Sequence, residues 1–226
     1  MRYSRHLLVD EFTQHHQQKL ADASVVVVGA GGLGSALLMY LAAAGVGHLG
    51  IIDFDVVSES NLNRQVLYNH DDIDLPKADR ATARIRKLNP TCRLSVFNLK
   101  ISNDNATDIL RNYDVVADAT DNFATRYALD DACRKLHKPF VYGTAEQWTG
   151  QVSVFHYGKA GGYRDLYPDM PTATQQPPGV MGPMPGVVGT RQALEVIKIV
   201  TGLGEPLAGK LWMMDTLNNM DCLINI

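Results

Sequence analysis

The chain has 226 residues, 46% of them apolar, enough to bury one sizeable core and better suited to a single domain over residues 1–226 than to two small ones. Its formal net charge of −3 lacks the basic excess expected of a protein built to cover nucleic-acid phosphates. The three cysteines, Cys92, Cys133 and Cys222, are too few and too scattered for a disulfide framework or a four-cysteine zinc site, which fits a reducing cytoplasm.

The opening residues, MRYSRHLLVDEF, scatter their charges instead of forming a basic start and an apolar core. No apolar run anywhere reaches the roughly 18 residues a membrane span needs, so no membrane partner is expected. The β-branched run SVVVV, from Ser24, reads as a strand closing in glycines, and SALLMYLAAAGVG as the small-residue helix after it. HLGIIDFD is a second strand, followed by an irregular polar stretch that contains SNLNRQ. Pro76 opens a basic helix that stops at Asn89-Pro90. RLSVFN, DVVADAT and PFVYGTA read as further strands, separated by helices over DNATDILRN and NFATRYALDDACRKLH. Strands alternating with helices predict a doubly wound, Rossmann-like, mostly parallel α/β sheet.

The last third changes character. GQVSVFHY alternates as an antiparallel strand does, and residues 158–185 then hold six of the ten prolines in a long irregular loop. GVVGTRQALEVIKIVTG predicts a helix, and the final seventeen residues predict two strands joined at Asn218-Asn219, extending the sheet in antiparallel fashion.

Gly29, Gly31, Gly32 and Gly34 satisfy G-x-G-x-x-G between a strand and a helix, where the motif brings backbone N–H groups and a helix N-terminus up to phosphate. Asp53, about 20 residues on, is placed to accept from ribose hydroxyls. This constellation predicts an adenine nucleotide without naming which one. Hydride transfer with a nicotinamide cofactor fits poorly, because Asp55, Ser60, Asn61, Arg64, Gln65 and Lys77 follow, rich in donors suited to phosphate oxygens. At the end of the fourth strand, Asp118, Asp121 and Asn122 lie at the carboxyl edge of the sheet; a carboxylate there suits Mg2+, although Asp121 could equally cap the next helix. The seven histidines show no metal-ligand spacing, and Trp148 and Trp212 read as packing residues, Trp148 being the one that could border a peptide channel.

Taken together, RYSRH, GAGGLG, DFDVVSESNLNRQ, PKA, DATDN and GPMPGVVGTRQALEVIK fall in the order and approximate spacing of the ubiquitin-activating-enzyme-like superfamily. Within it the chain resembles the bacterial adenylyltransferases that activate sulfur-carrier proteins for molybdopterin and thiamine synthesis. The resemblance implies an enzyme that binds ATP and Mg2+ and adenylates the C-terminal carboxylate of a small ubiquitin-like protein ending in Gly-Gly, releasing pyrophosphate. It implies that Gly32 lies against the nucleotide, that Asp53 holds the ribose and that Asn61, Arg64 and Lys77 meet the phosphates. Asp121 serves the metal, Gln65 is a second-rank contact, and Arg5 reaches the site of the other subunit of a homodimer. Relatives often carry zinc on two Cys-x-x-Cys pairs, yet Gly162-Tyr163-Arg164-Asp165 stands at the first. Others hold a cysteine near Gln175, so no zinc site and no thioester or acyl-disulfide on the enzyme are expected here. Two further readings stay open: a relative redirected to a peptide or tRNA-borne carboxylate, and a non-catalytic carrier-binding paralogue.

Overall fold

The structure is a computed structural model and describes residues 2–170 and 179–226. Strands β1 (Ser24–Val28), β2 (His48–Ile52), β3 (Arg93–Phe97), β4 (Val115–Asp118) and β5 (Phe140–Glu146) run parallel. Strands β6 (Thr149–Phe155), β7 (Lys210–Asp215) and β8 (Met220–Asn225) continue the same sheet antiparallel, in the order β3-β2-β1-β4-β5-β6-β7-β8. This is the doubly wound sheet with an antiparallel extension that the alternating pattern implied. Residues 25–28 of β1 are buried valines covered on both faces, which is why this strand shows a continuous apolar run and no alternation.

Helices α1 (Gln14–Asp22), α2 (Gly32–Ala44), α3 (Lys77–Leu88) and α7 (Pro183–Thr201) bury residues in the core on one face. Helices α4 (Ala106–Leu110), α5 (Phe123–Leu136) and α6 (Tyr163–Leu166) close the other. Among the described residues no helix is long and apolar enough to cross a membrane. Val28, Ile52 and Asp118 share one register level at the ends of β1, β2 and β4. The chain leaves β1 toward β2 and β4 toward β5, so a crevice opens between the turns after β1 and β4.

Several boundaries differ from the sequence reading. The α1 helix was not expected; its QHHQQKLAD sequence buries only Leu20 and so carries almost no helical apolar period. The stretch expected to be irregular from 158 contains α6, and α7 starts at Pro183, three residues before the predicted start. Proline is tolerated there because the first helical turn has no internal N–H bonds to lose. Gln175 lies outside the described residues.

Candidate nucleotide and carboxylate-activation site

Ala30 lies at the heart of the turn after β1, and its peptide is held from both sides. Its N–H donates to Asp53 Oδ2 at 2.7 Å, and its carbonyl accepts from the Tyr68 hydroxyl at 2.7 Å. Asp53 Oδ1 also accepts from the Asp55 N–H at 2.8 Å, so the residue predicted to hold a ribose also organises the main chain around it. Burial pushes the Asp53 carboxyl above the usual carboxylate range, the two N–H donors and the Lys77 charge pulling against it. Tyr68, buried and shared between Ala30 and the Lys77 carbonyl, went unnoticed in the sequence because its partners lie 38 and 9 residues away.

The glycines answer different demands. Gly29 has φ 96°, and a Cβ on it would stand 2.5 Å from the Ala119 carbonyl oxygen of the turn after β4. A Cβ on Gly32 would meet Pro185 Cβ at 2.7 Å, where the first turn of α7 settles on the glycine turn. Gly34 lies against the Gly29 carbonyl, the close helix–strand contact this motif requires. Gly31 is the exception: a Cβ there would meet only the Gln65 amide, at 3.5 Å. Among the described residues no internal clash excludes a side chain at Gly31, so its bareness suits a group arriving from outside. Gln65 itself is buried, and its Oε1 has no partner among the described residues, an orphaned acceptor beside that opening.

SNLNRQ begins in a single 3-10 turn, Glu59–Asn61, closed by a capping box in which Asn61 Oδ1 accepts from the Ser58 N–H at 3.2 Å. Ser60 stays on this turn, its hydroxyl 3.0 Å from that of Ser58. Arg64 folds back so that Nη1 donates to the Ser60 carbonyl at 2.9 Å and to Asn63 Oδ1 at 3.0 Å, while its Cγ stands 3.7 Å from where a Gly32 Cβ would be. Lys77, at the start of α3, is buried and donates to Asp55 Oδ2 at 3.1 Å. The fold thus brings Gly31, Gly32, Asp53, Asp55, Ser60, Asn61, Arg64, Gln65 and Lys77 to one end of the sheet.

The turn after β4 forms the second wall. Asp118 is fully buried; its Oδ1 accepts from the Thr120 N–H at 2.9 Å and from Thr120 Oγ1 at 2.6 Å, and its Oδ2 faces Arg126 Nε at 3.3 Å. Gln192 of α7 donates to the Asp118 and Val141 carbonyls at 2.6 and 3.2 Å, tying β4 to β5. Asp121 follows, exposed, and among the described residues its carboxylate accepts no hydrogen bond and meets no cation. The cap of α5 is Asn122, whose Oδ1 accepts from the Thr125 N–H at 2.9 Å, so the capping role offered for Asp121 falls to its neighbour. Asp121 is therefore left as a hard oxygen donor at the rim, of the kind that would hold Mg2+.

Arg5 is the predicted residue that this chain keeps away from its own crevice. Tyr3 packs on Gly45 and accepts from Asn89 Nδ2 at 3.2 Å, at the far end of α2 from the glycine turn. Thirteen residues of helix separate the two ends, roughly 20 Å at the α-helical rise. The segment Gly162–Asp165 is knotted by carboxylates: buried Asp130 accepts from the Tyr163 N–H at 2.7 Å, and lies 2.7 Å from His156 Nε2, while Arg164 forks onto Asp131 at 2.7 and 2.8 Å. Among the described residues no group of three or more His, Cys, Asp or Glu side chains is arranged to hold a metal ion. Cys133 is fully buried in the core, where desolvation pushes its thiol well above the usual range. Trp148, expected to pack, is instead 39% exposed at the tip between β5 and β6, whereas Trp212 lies partly buried against the core.

The chain is 45% identical over 225 residues to a sulfur carrier protein adenylyltransferase of Thermus thermophilus, a match covering 96% of this chain and 83% of that one. It is 44% identical over 213 residues to a probable molybdopterin-synthase adenylyltransferase of Porphyra purpurea, covering 92% of this chain and 56% of that one. The chain spans only about half the length of several of the curated relatives it matches. Its fold superposes on the crystal structure of Escherichia coli MccB with a TM-score of 0.91 at 23% identity, covering 99% of this chain and 71% of that one. The model of the ThiF family matches residues 3–224, and the chain belongs to that family.

Proposed function

We propose that this chain uses MgATP to adenylate the C-terminal glycine carboxylate of a small ubiquitin-like sulfur-carrier protein ending in Gly-Gly, with release of pyrophosphate. The observation that carries this reading is the crevice itself: a bare glycine turn, the arginine and lysine of SNLNRQ and α3, and an Asp121 carboxylate unpaired among the described residues converge on adjacent strand ends. The relatives' names support the acceptor, since the Thermus thermophilus protein is a sulfur carrier protein adenylyltransferase. In this account Asp53 orients the ribose, and Gly31 lets the main chain approach the α-phosphate while Gly29, Gly32 and Gly34 hold the turn in place around it. Asn61, Arg64, Gln65 and Lys77 neutralise and orient the triphosphate, with Asp55 and Ser60 steering Lys77 and Arg64. Asp121, backed by Asn122, would hold Mg2+, which supplies charge neutralisation on the phosphates when bound.

The chemistry needs no general base, because the attacking carboxylate is already ionised at neutral pH. Two anions must instead be brought together, so rate comes from positioning and from cations matched to the developing charge. Arg5 would complete the site of a second copy in a homodimer. Cys92, Cys133 and Cys222 all lie outside residues 134–221, so the adenylate is expected to be discharged by an external nucleophile and not through a thioester on this segment. ATP–pyrophosphate exchange with a purified Gly-Gly-ended carrier tests the reading. Carrier-dependent exchange is expected, and Arg64→Ala or Asp121→Ala should abolish it; exchange surviving both substitutions would remove the role assignment. Exchange driven by a free peptide or a charged tRNA, and not by a carrier, would transfer the activity to that acceptor class.

A further inference from the structure

Arg126 is only 6% exposed, and two of its polar contacts, with Asp118 and with the Thr120 carbonyl, fall on the turn that leads to Asp121. Its Nε faces Asp118 Oδ2 at 3.3 Å, and its Nη2 donates to the Thr120 carbonyl at 2.9 Å and to Thr144 Oγ1 at 3.1 Å. The guanidinium also lies over the Phe123 and Tyr142 rings, at 5.8 and 5.3 Å. A buried ion pair is a poor way to stabilise a core, since an apolar pair of like volume is often as good or better. Its location therefore calls for a further explanation, and Thr120 supplies it. The N–H and hydroxyl of Thr120 are held by Asp118 and its carbonyl by Arg126, so three of its groups are pinned. Two residues on, Asn122 is pinned by its cap bond to Thr125. Asp121 hangs between these two fixed points and makes no bond of its own among the described residues, so its aim is set by the main chain on either side.

We propose that Arg126, acting with Asp118 through Thr120, is a positioning residue that aims the Asp121 carboxylate at the metal of the nucleotide complex. The inference rests on the reading that Asp121 serves Mg2+. Lysine at 126 keeps the charge but cannot reach Asp118 and Thr120 with one planar fork. A loosened partner behind a metal carboxylate typically lowers metal affinity tenfold or more.

The test is the Mg2+ dependence of ATP binding by calorimetry, alongside the Mg2+ dependence of pyrophosphate exchange, for wild type, Asp121→Asn, Arg126→Lys and Thr144→Val. Arg126→Lys should raise the half-saturating Mg2+ concentration about tenfold in both measurements, with ATP binding restored at saturating Mg2+. Thr144→Val, which removes one contact of the guanidinium and keeps the side-chain shape, should shift it less in the same direction and serves if the lysine variant fails to fold. A residue that matters only for folding would lower the melting temperature and leave the Mg2+ midpoint where it was. If Asp121→Asn moves the midpoint and neither Arg126→Lys nor Thr144→Val does, this inference is overturned while the functional reading stands. If wild type binds ATP without any Mg2+ dependence, the functional reading fails first and takes the inference with it.

Discussion

The turns after β1 and β4 use the same device with different chemistry. In each, one residue is clamped at both its N–H and its carbonyl: Ala30 between Asp53 and the Tyr68 hydroxyl, Thr120 between Asp118 and the Arg126 guanidinium. The first clamp pairs a carboxylate with a neutral phenol and leaves a glycine opening for a ligand. The second pairs two buried charges and leaves one exposed carboxylate at the rim. A clamp with one neutral member fails gently, because the phenol can be removed without stranding a charge; a clamp of two buried charges does not, because either partner alone is a stranded ion. On the proposed reading the glycine corner receives the nucleotide and the β4 corner holds one side chain at a fixed angle.

The difference can be broken by mutation. The largest loss is expected for Arg126→Met, which leaves the Asp118 carboxylate buried without its cation and should cost about 3–5 kcal/mol in denaturant unfolding. Asp53→Ala, which strips an acceptor from the Ala30 and Asp55 N–H groups, should cost about 1–3 kcal/mol and weaken ATP binding; a loss matching that of Arg126→Met would erase the contrast between the corners. Gly32→Ala drives a methyl toward Pro185 and should cost about 1–3 kcal/mol by overpacking. Gly31→Ala meets only the Gln65 amide, so it should cost less stability and more ATP affinity, a reversal readable by pairing melting curves with calorimetry. Tyr68→Phe, the gentlest break of the first clamp, should cost about 1 kcal/mol.

A pH titration sharpens the same contrast. Because burial raises the Asp53 pKa above its unfolded value, its contribution to stability is fully present below the ordinary carboxylate range and is lost as pH rises through the raised folded value. The stability of wild type relative to Asp53→Asn should accordingly fall as pH increases above about 4, with no further change once Asp53 is ionised. A difference that grew with pH would contradict the direction assigned to burial.

The two corners also differ in how far they can be read from residues alone. The glycine turn announces itself because the φ of 96° at Gly29 is a demand local in sequence that glycine meets, whereas the contact of Gly32 with Pro185 is made across the fold. Asp53 follows at a spacing set by one helix and two strands. Tyr68 and Arg126 were not legible, since a tyrosine in an irregular stretch and an arginine on a helix are ordinary until tertiary contacts place them against Ala30 and Thr120. Gln192 was hidden for the same reason, inside a helix face read as apolar. The start of α7 was missed because Pro183 and Pro185 read as loop, although a helix N-terminus accommodates both. The polar run SNLNRQ was legible as chemistry but not as structure: its tight turn depends on a capping bond between Ser58 and Asn61 that no apolar period signals.

The most direct test of the account is the intact mass of a Gly-Gly-ended carrier incubated with this protein and MgATP, quenched and measured by mass spectrometry with inorganic pyrophosphatase present to draw the reaction forward. The account predicts that the carrier gains one adenylyl group at its C-terminal carboxylate, and that Arg64→Ala and Asp121→Ala leave its mass unchanged. A carrier that binds the protein and MgATP yet never gains that mass would contradict adenylation as the function of this crevice.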